Sequence, residues 1–322
     1  MVERPGAVET VVSNGVADLP AAGTIPVLVT GGDGMLGRGF AAMAPRFAGF
    51  TVHTPGRDAL DVRDPAALAR WRDAVSGGWI VHCAARVDVE GCAREPEAAR
   101  DTIVGGTENV AALARGAGAR VLYPQSFLTY DAATNPIRED EMPRPLHLYG
   151  ELKLAAEQRL AALADDPLIV RMAGFFGGDA ADKNFVGRII PAMHAAILRG
   201  ETDYAVGTRI WQPTFTEDLA ANCLLLMAAN ARGSYQMACH GEASFADVAA
   251  VIVRALGWQA RLAIIRVDPA AVAGAELGRR PDRAVLAATR IKAEGLDLQR
   301  DWQASLYTYL QGPFWRRFRL ES

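Results

Sequence analysis

One short stretch constrains this chain more than any other. Ile25-Pro26-Val27-Leu28-Val29-Thr30 is an apolar run that reads as a buried strand, and it passes directly into Gly31-Gly32-Asp33-Gly34-Met35-Leu36-Gly37. Arg38 to Phe47 then repeats Ala, Met and Phe at helical spacing. Gly31, Gly34 and Gly37, in the spacing GxxGxxG, allow a tight turn and a close backbone approach to a pyrophosphate. The amides of the first helical turn, which holds Met35 and Leu36, would then face the anion. Glycines also close ordinary strand-to-helix turns, so the spacing alone is weak; its position at the first βα turn predicts a nucleotide site.

The same alternation continues. Phe50 to Thr54, Trp79 to Cys83, Arg120 to Pro124 and Leu168 to Met172 read as strands. Between them lie a helix opened by Asp64-Pro65, a long helix from Glu95 to Ala117, and a helix from about Leu148 to Leu163. The expected fold is therefore α/β, a Rossmann-type doubly wound parallel sheet. After Gly178 the pattern loosens: Asn184 to Arg199, Thr214 to Asn230 and Phe245 to Leu256 are helical, with short candidate strands at Tyr235 to Ala238 and Leu262 to Ile265. No linker separates the halves. The expectation is a weakly ordered extension over 1–24, a nucleotide-binding Rossmann domain over 25–175, and over 176–322 mostly a smaller, interleaved α/β substrate-binding lobe. The helix near 214–230 is expected to return to the Rossmann fold.

Composition removes competing classes. Lys plus Arg is 34 against 37 Asp plus Glu, a formal net charge of −3, so no nucleic-acid footprint or basic membrane face is expected. Half the residues are hydrophobic, too many for a disordered chain, yet no run approaches the roughly 18 apolar residues of a spanning helix. Cys83, Cys92, Cys223 and Cys239 are scattered, without zinc-ligand spacing, so no metal site is expected and a reducing compartment is. Met1 to Gly23 lacks the basic and apolar regions of a signal peptide. The expected location is the cytoplasm.

Two further segments bear on chemistry. Where an acidic residue at the end of the second strand would bind the ribose 2′-hydroxyl of NAD, the chain reads His53-Thr54-Pro55-Gly56-Arg57. Arg57 could pair with a 2′-phosphate, favouring NADPH over NADH, or be a plain solvated arginine; Asp61-Val62 is placed to border the adenine. Tyr149-Gly150-Glu151-Leu152-Lys153 sets a phenol and an ammonium on one helix face. A nearby ammonium stabilises phenolate and would lower the tyrosine pKa from its usual value of about 10. Ser126, after the strand that precedes this helix, could donate to a substrate carbonyl or merely cap a turn.

Taken together these residues resemble the extended short-chain dehydrogenase/reductase superfamily, and within it the dTDP-4-dehydrorhamnose reductase family, from about Ile25 to Leu310. The resemblance is carried by TGGDGMLGRGF, Asp61-Val62-Arg63-Asp64-Pro65, HCAARVDVEGCAREPEAA, the YxxxK helix, LIVRMAGFFG, Lys183-Asn184-Phe185-Val186, Pro213 to Leu219, and Arg280-Pro281. It implies NADPH-dependent reduction of the C4 ketone of a nucleotide-linked 6-deoxy-hexulose. Tyr149 would be the general acid, Lys153 would tune it and hold the ribose, and Ser126 would polarise the ketone. Cys83, Ala84 and Ala85 would line the cofactor. The nucleotide-diphosphate sugar would meet Val87, Lys183, Asn184, Arg209, Trp211 and Arg280, with the arginines facing the diphosphate. A homodimer is the family's expectation.

The chain departs from the family's pattern at Ser126-Phe127-Leu128, where Thr-Asp-Tyr is usual, at Trp211-Gln212, where Gly-Ser is usual, and at His82, often Asn. Two alternatives therefore stay open. One is a nucleotide-sugar epimerase or dehydratase with bound NAD. The other is a non-catalytic, cofactor-binding regulatory subunit like that of methionine adenosyltransferase.

Overall fold

The computed structural model describes residues 23–272 and 279–319; the extension expected over 1–24 lies, up to residue 22, outside them. Six parallel strands form the central sheet. In chain order its first half contains β1 (Ile25–Thr30), α1 (Met35–Met43), β2 (Phe50–His53), α2 (Pro65–Ala69), β3 (Trp79–His82), α3 (Val89–Arg94), α4 (Gly106–Ala117), β4 (Arg120–Ser126), α5 (Leu148–Leu163) and β5 (Leu168–Met172). The second half supplies α6 (Phe185–Leu198), β6 (Asp203–Gly207), β7 (Ile210–Trp211), α7 (Thr216–Ala228), β8 (Ser234–Met237), β9 (Ala243–Ser244), α8 (Phe245–Ala255), β10 (Ala263–Val267) and α9 (Trp302–Leu310). The sheet order is β8-β5-β4-β3-β1-β2, so the order reverses between β1 and β3. In such sheets, ligands bind outside the carboxyl ends of the strands at that switch point.

Both faces of the sheet are buried, which explains why its strands read as unbroken apolar runs. Val27 and Val29 point to one side, onto Leu36, Phe40 and Met43 of α1 and Leu219, Leu224 and Met227 of α7. Leu28 and Ile80 point to the other, onto Leu68, Val110, Ala114, Leu152 and Ala156. The second half thus contributes α7 to one face of this sheet and β8 to its edge. Its remaining elements share a separate core built around Val186, Ile190, Trp258, Leu306 and Trp315. There β10 pairs with β6, and β9 with β7.

Two sequence expectations are corrected locally. The long helix expected from Glu95 is interrupted by a π-turn over Asp101–Gly105 before α4 begins. Gly106 allows that approach, since a Cβ there would stand 2.7 Å from Val62 Cγ2. The strand expected to stop at Pro124 continues to Ser126. Among the described residues, no helix is long and apolar enough to cross a membrane.

Candidate active site

The glycine turn sits at the switch point. Gly31 has φ +71°, the left-handed region where a side chain is strained, and a Cβ on Gly37 would come 2.4 Å from the Gly31 carbonyl oxygen. Gly34 is the N-cap of α1 and has no side chain to satisfy the first-turn amides of Met35, Leu36 and Gly37; no acidic residue lies in that turn. The first backbone bond of the helix is Arg38 N–H to the Gly34 carbonyl, at 2.9 Å. A turn that admits no Cβ, leading to an uncapped helix start, fits a dinucleotide pyrophosphate.

The floor beside it is a chain of buried polar groups. Thr107 Oγ1 donates to the Ile103 carbonyl at 2.6 Å, leaving its oxygen to accept from His82 Nε2 at 3.1 Å. His82 Nδ1 then accepts from Thr30 Oγ1 at 2.9 Å, and Thr30 Oγ1 accepts from the Ala84 amide at 3.2 Å. This arrangement requires neutral His82, and burial pushes its pKa down to about 3. The π-turn brings Thr107 into place, and the chain ties the ends of β1 and β3 together below Cys83-Ala84-Ala85. Cys83 is half-buried, its thiol pushed up to about 12 by burial.

At the β2 end, Arg57 is 72% exposed and lies 3.6 Å from Asp61. Asp61 is gripped mainly by Arg63, with Nη2 to Oδ2 at 2.6 Å and Nε to Oδ1 at 3.0 Å, which holds its carboxyl far below the ordinary range. Asp61 therefore buttresses this loop, and Val62, buried, supports it from within.

Tyr149 and Lys153 lie on one face of α5, both buried, beside Ser126 at the end of β4. The sequence leads one to expect Lys153 to depress the Tyr149 pKa; the geometry differs. Lys153 Nζ donates to the Pro124 carbonyl at 2.8 Å and lies 3.8 Å from the centroid of the Tyr123 ring. Burial pushes the Tyr149 phenol up to about 12, while a hydrogen bond with Ser126 pulls the other way. Burial also pushes Lys153 down to about 7. The helix start is capped by His147, whose Nδ1 accepts from the Gly150 amide at 3.1 Å.

The residues expected at the sugar are placed variously. Val87 is 59% exposed beyond β3. Trp211 is buried against Phe185 and Phe245, its indole Nε1 without a hydrogen-bond partner. Arg280 pairs with Glu90 of α3 at 3.2 Å, and both act electrostatically on His147, so Arg280 lies near the start of α5. Arg209 faces Asp282 at 3.8 Å. Arg57, Arg209 and Arg280, the arginines expected at the ligand phosphates, thus each have a carboxylate within 4 Å. Lys183 is exposed, whereas the Asn184 side chain is committed to the Phe175 carbonyl at 2.8 Å. Thr30, Thr107, Gln125, His147 and Glu157 belong to the site's framework and carry no sequence motif that singles them out. Among the described residues, no cluster of His, Cys, Asp and Glu could hold a metal ion.

Comparison with known proteins places this geometry in context. Residues 25–313 match the family model described as the RmlD substrate binding domain. The chain is 33% identical to the dTDP-4-dehydrorhamnose reductase of Streptomyces griseus, over 87% of this chain and 91% of that protein. It is 29% identical to methionine adenosyltransferase 2 subunit beta of Xenopus tropicalis, over 63% of each. Its fold superposes with a TM-score of 0.77 on the dTDP-4-dehydrorhamnose reductase of Bacillus anthracis solved in complex with NADP; the identity there is 21%, with 89% of this chain and 99% of that chain covered.

Proposed function

The chain belongs to the RmlD substrate-binding family, and from that premise we propose that it is an NADPH-dependent reductase of the C4 ketone of a nucleotide-linked 6-deoxy-hexulose. The observation that carries this reading is the meeting of Ser126 with Tyr149 and Lys153 at the carboxyl end of β4, in a sheet whose switch point holds the glycine turn. When bound, NADPH supplies the reducing equivalent. Gly31, Gly34, Met35, Leu36 and Gly37 would hold its pyrophosphate by backbone amides, Arg57 its 2′-phosphate, and Cys83, Ala84 and Ala85 would border it.

The protein's own part is positioning and a proton. Ser126 donates a hydrogen bond to the ketone oxygen and polarises it. Tyr149, its phenol held protonated up to about 12, is in the donor form at neutral pH and delivers its proton to that oxygen as negative charge develops there. Lys153, one turn along the same helix face and held by the Pro124 carbonyl, would hold the nicotinamide ribose. Arg280 and Arg209 exchange their carboxylate partners for the substrate diphosphate. Trp211 and Val87 bound the sugar, and Lys183 reaches the nucleotide. The family's homodimer and a cytoplasmic location accompany this reading.

The test is to mix the purified protein with NADPH and a dTDP-4-keto-6-deoxy sugar and follow the absorbance of the reduced nicotinamide. Turnover that falls by about 10²–10⁴ in Tyr149→Phe supports the proposal. The likeness to methionine adenosyltransferase 2 subunit beta supports a second reading, a regulatory subunit that binds the cofactor without using it. No turnover, with cofactor binding equal in the wild type and Tyr149→Phe, selects that reading.

A further inference from the structure

Gln125 uses its whole side-chain amide. Nε2 donates to the Lys153 carbonyl oxygen at 3.0 Å and to Glu157 Oε2 at 2.7 Å, while Oε1 accepts from the Ser126 amide at 2.8 Å. The residue is 2% exposed. Glu157 lies one turn beyond Lys153, on the α5 face that also carries Tyr149. Its other oxygen takes Arg171 Nη2 at 2.5 Å, with the two side chains 15% and 9% exposed. Arg171 on β5 is the register partner of Gln125 on β4, so the ion pair is fastened to the neighbouring strand.

A buried ion pair of this kind is a poor source of net stability, because desolvation offsets most of the attraction. What it does supply is a fixed geometry. One amide joins the strand that ends in Ser126 to the helix that carries Tyr149 and Lys153, and an anchored carboxylate fixes that amide in turn. We propose that Gln125, held by the Glu157–Arg171 pair, is a positioning residue that sets the distance and direction between Ser126 and the Tyr149–Lys153 face of α5. Gln125 touches no reacting atom; it acts through Ser126. The inference rests on the reductase reading for its kinetic consequence, and the structural consequence stands apart from turnover.

The experiment combines kinetics with a probe of Tyr149. Gln125→Met keeps the side chain's length and removes all three hydrogen bonds. Expected are a 10–100-fold fall in kcat, a cofactor KM within threefold of wild type, and a shifted ¹³Cζ resonance of Tyr149, identified by its loss in Tyr149→Phe. In a Ser126→Ala background the same substitution should cost less than threefold, because the group it positions is gone; a generally damaged fold would lose the same factor in both backgrounds. If Gln125→Met folds poorly, Glu157→Gln, whose single amide oxygen cannot accept from both Gln125 and Arg171, loosens the same anchor and should lower kcat about three- to tenfold while moving the Tyr149 resonance in the same direction. Absent turnover in the wild type rejects the reductase reading while leaving the resonance shift to decide the positioning role. An unmoved Tyr149 resonance overturns the inference, as do equal losses in the two backgrounds.

Discussion

Lys153 and Pro124 meet at 2.8 Å, ammonium to carbonyl, near the carboxyl end of β4. Proline cannot donate to a strand ladder, but its carbonyl remains available, and here it holds a lysine that is only 4% exposed. The lysine is kept at a cost, since burial brings its pKa from 10.5 to about 7. In the unfolded chain Lys153 stays protonated to a pH near 10. Native stability is therefore penalised in full below pH 7 and recovers as pH rises from 7 towards 10.5.

Lys153→Met should accordingly yield an inactive but more stable protein, by roughly 1–3 kcal/mol at pH 7 after the lost hydrogen bond is counted. The gain should shrink at pH 9, where the wild type has shed part of its penalty. Urea denaturation of both proteins at the two pH values measures this. A variant no more stable than wild type, or a gap that widens with pH, rejects the burial account.

His82 makes the opposite limb. Its folded pKa of about 3 lies below the ordinary 6.5, so its contribution is complete above pH 6.5 and is lost as pH falls from there towards 3. The loss has a slope of about 1.4 kcal/mol per pH unit at most. His82→Asn, which can still accept from Thr30 but carries no titrating ring, should flatten the acid side of the stability curve. Chemical denaturation between pH 7 and 4 is the measurement; parallel curves for the two proteins would exclude His82 as the group that titrates.

Much of this architecture was legible in the sequence because local signals agreed with global ones. Asp64 and Pro65 read as a helix start, and the Asp64 side chain does accept from the Ala66 amide at 2.8 Å. The strands of the parallel sheet announced themselves as apolar runs between helical segments. Hydrogen bonds between residues far apart in sequence could not be read in this way. Gln125 looks like any strand glutamine until Glu157 and Arg171 are brought to it, and His82 becomes a neutral relay only when the π-turn delivers Thr107. Carboxylate partners of the arginines were hidden for the same reason: Glu90 and Arg280 meet through the fold alone.

Arg57 offers a test of cofactor choice. At 72% exposure its attraction to Asp61 is strongly screened, so little holds it back from a 2′-phosphate. Arg57→Ala should weaken NADPH binding by about 5–20-fold at low salt, as expected for one charge-assisted pair, and leave NADH within twofold. Fluorescence titration with each nucleotide decides. Equal weakening of both would remove Arg57 from the phosphate.

Gly174 packs against Trp211, the residue proposed to bound the sugar. A Cβ on Gly174 would stand 2.7 Å from Trp211 Cε3 and 3.7 Å from Phe127 Cε1, closer to the indole than a real Cβ comes. Trp211 has little room to yield, because its ring centroid lies 5.2 Å from that of Phe245 and 6.3 Å from that of Phe185. Gly174→Ala should therefore cost about 1–3 kcal/mol of stability through overpacking and push the indole towards the substrate. The expected kinetic signature is a sugar KM raised tenfold or more with NADPH affinity unchanged, since the glycine turn and Arg57 lie on other elements. Steady-state kinetics in both substrates, paired with a thermal melt, separates the two effects. If the melt drops while the sugar KM holds, Trp211 packs the lobe without facing the sugar.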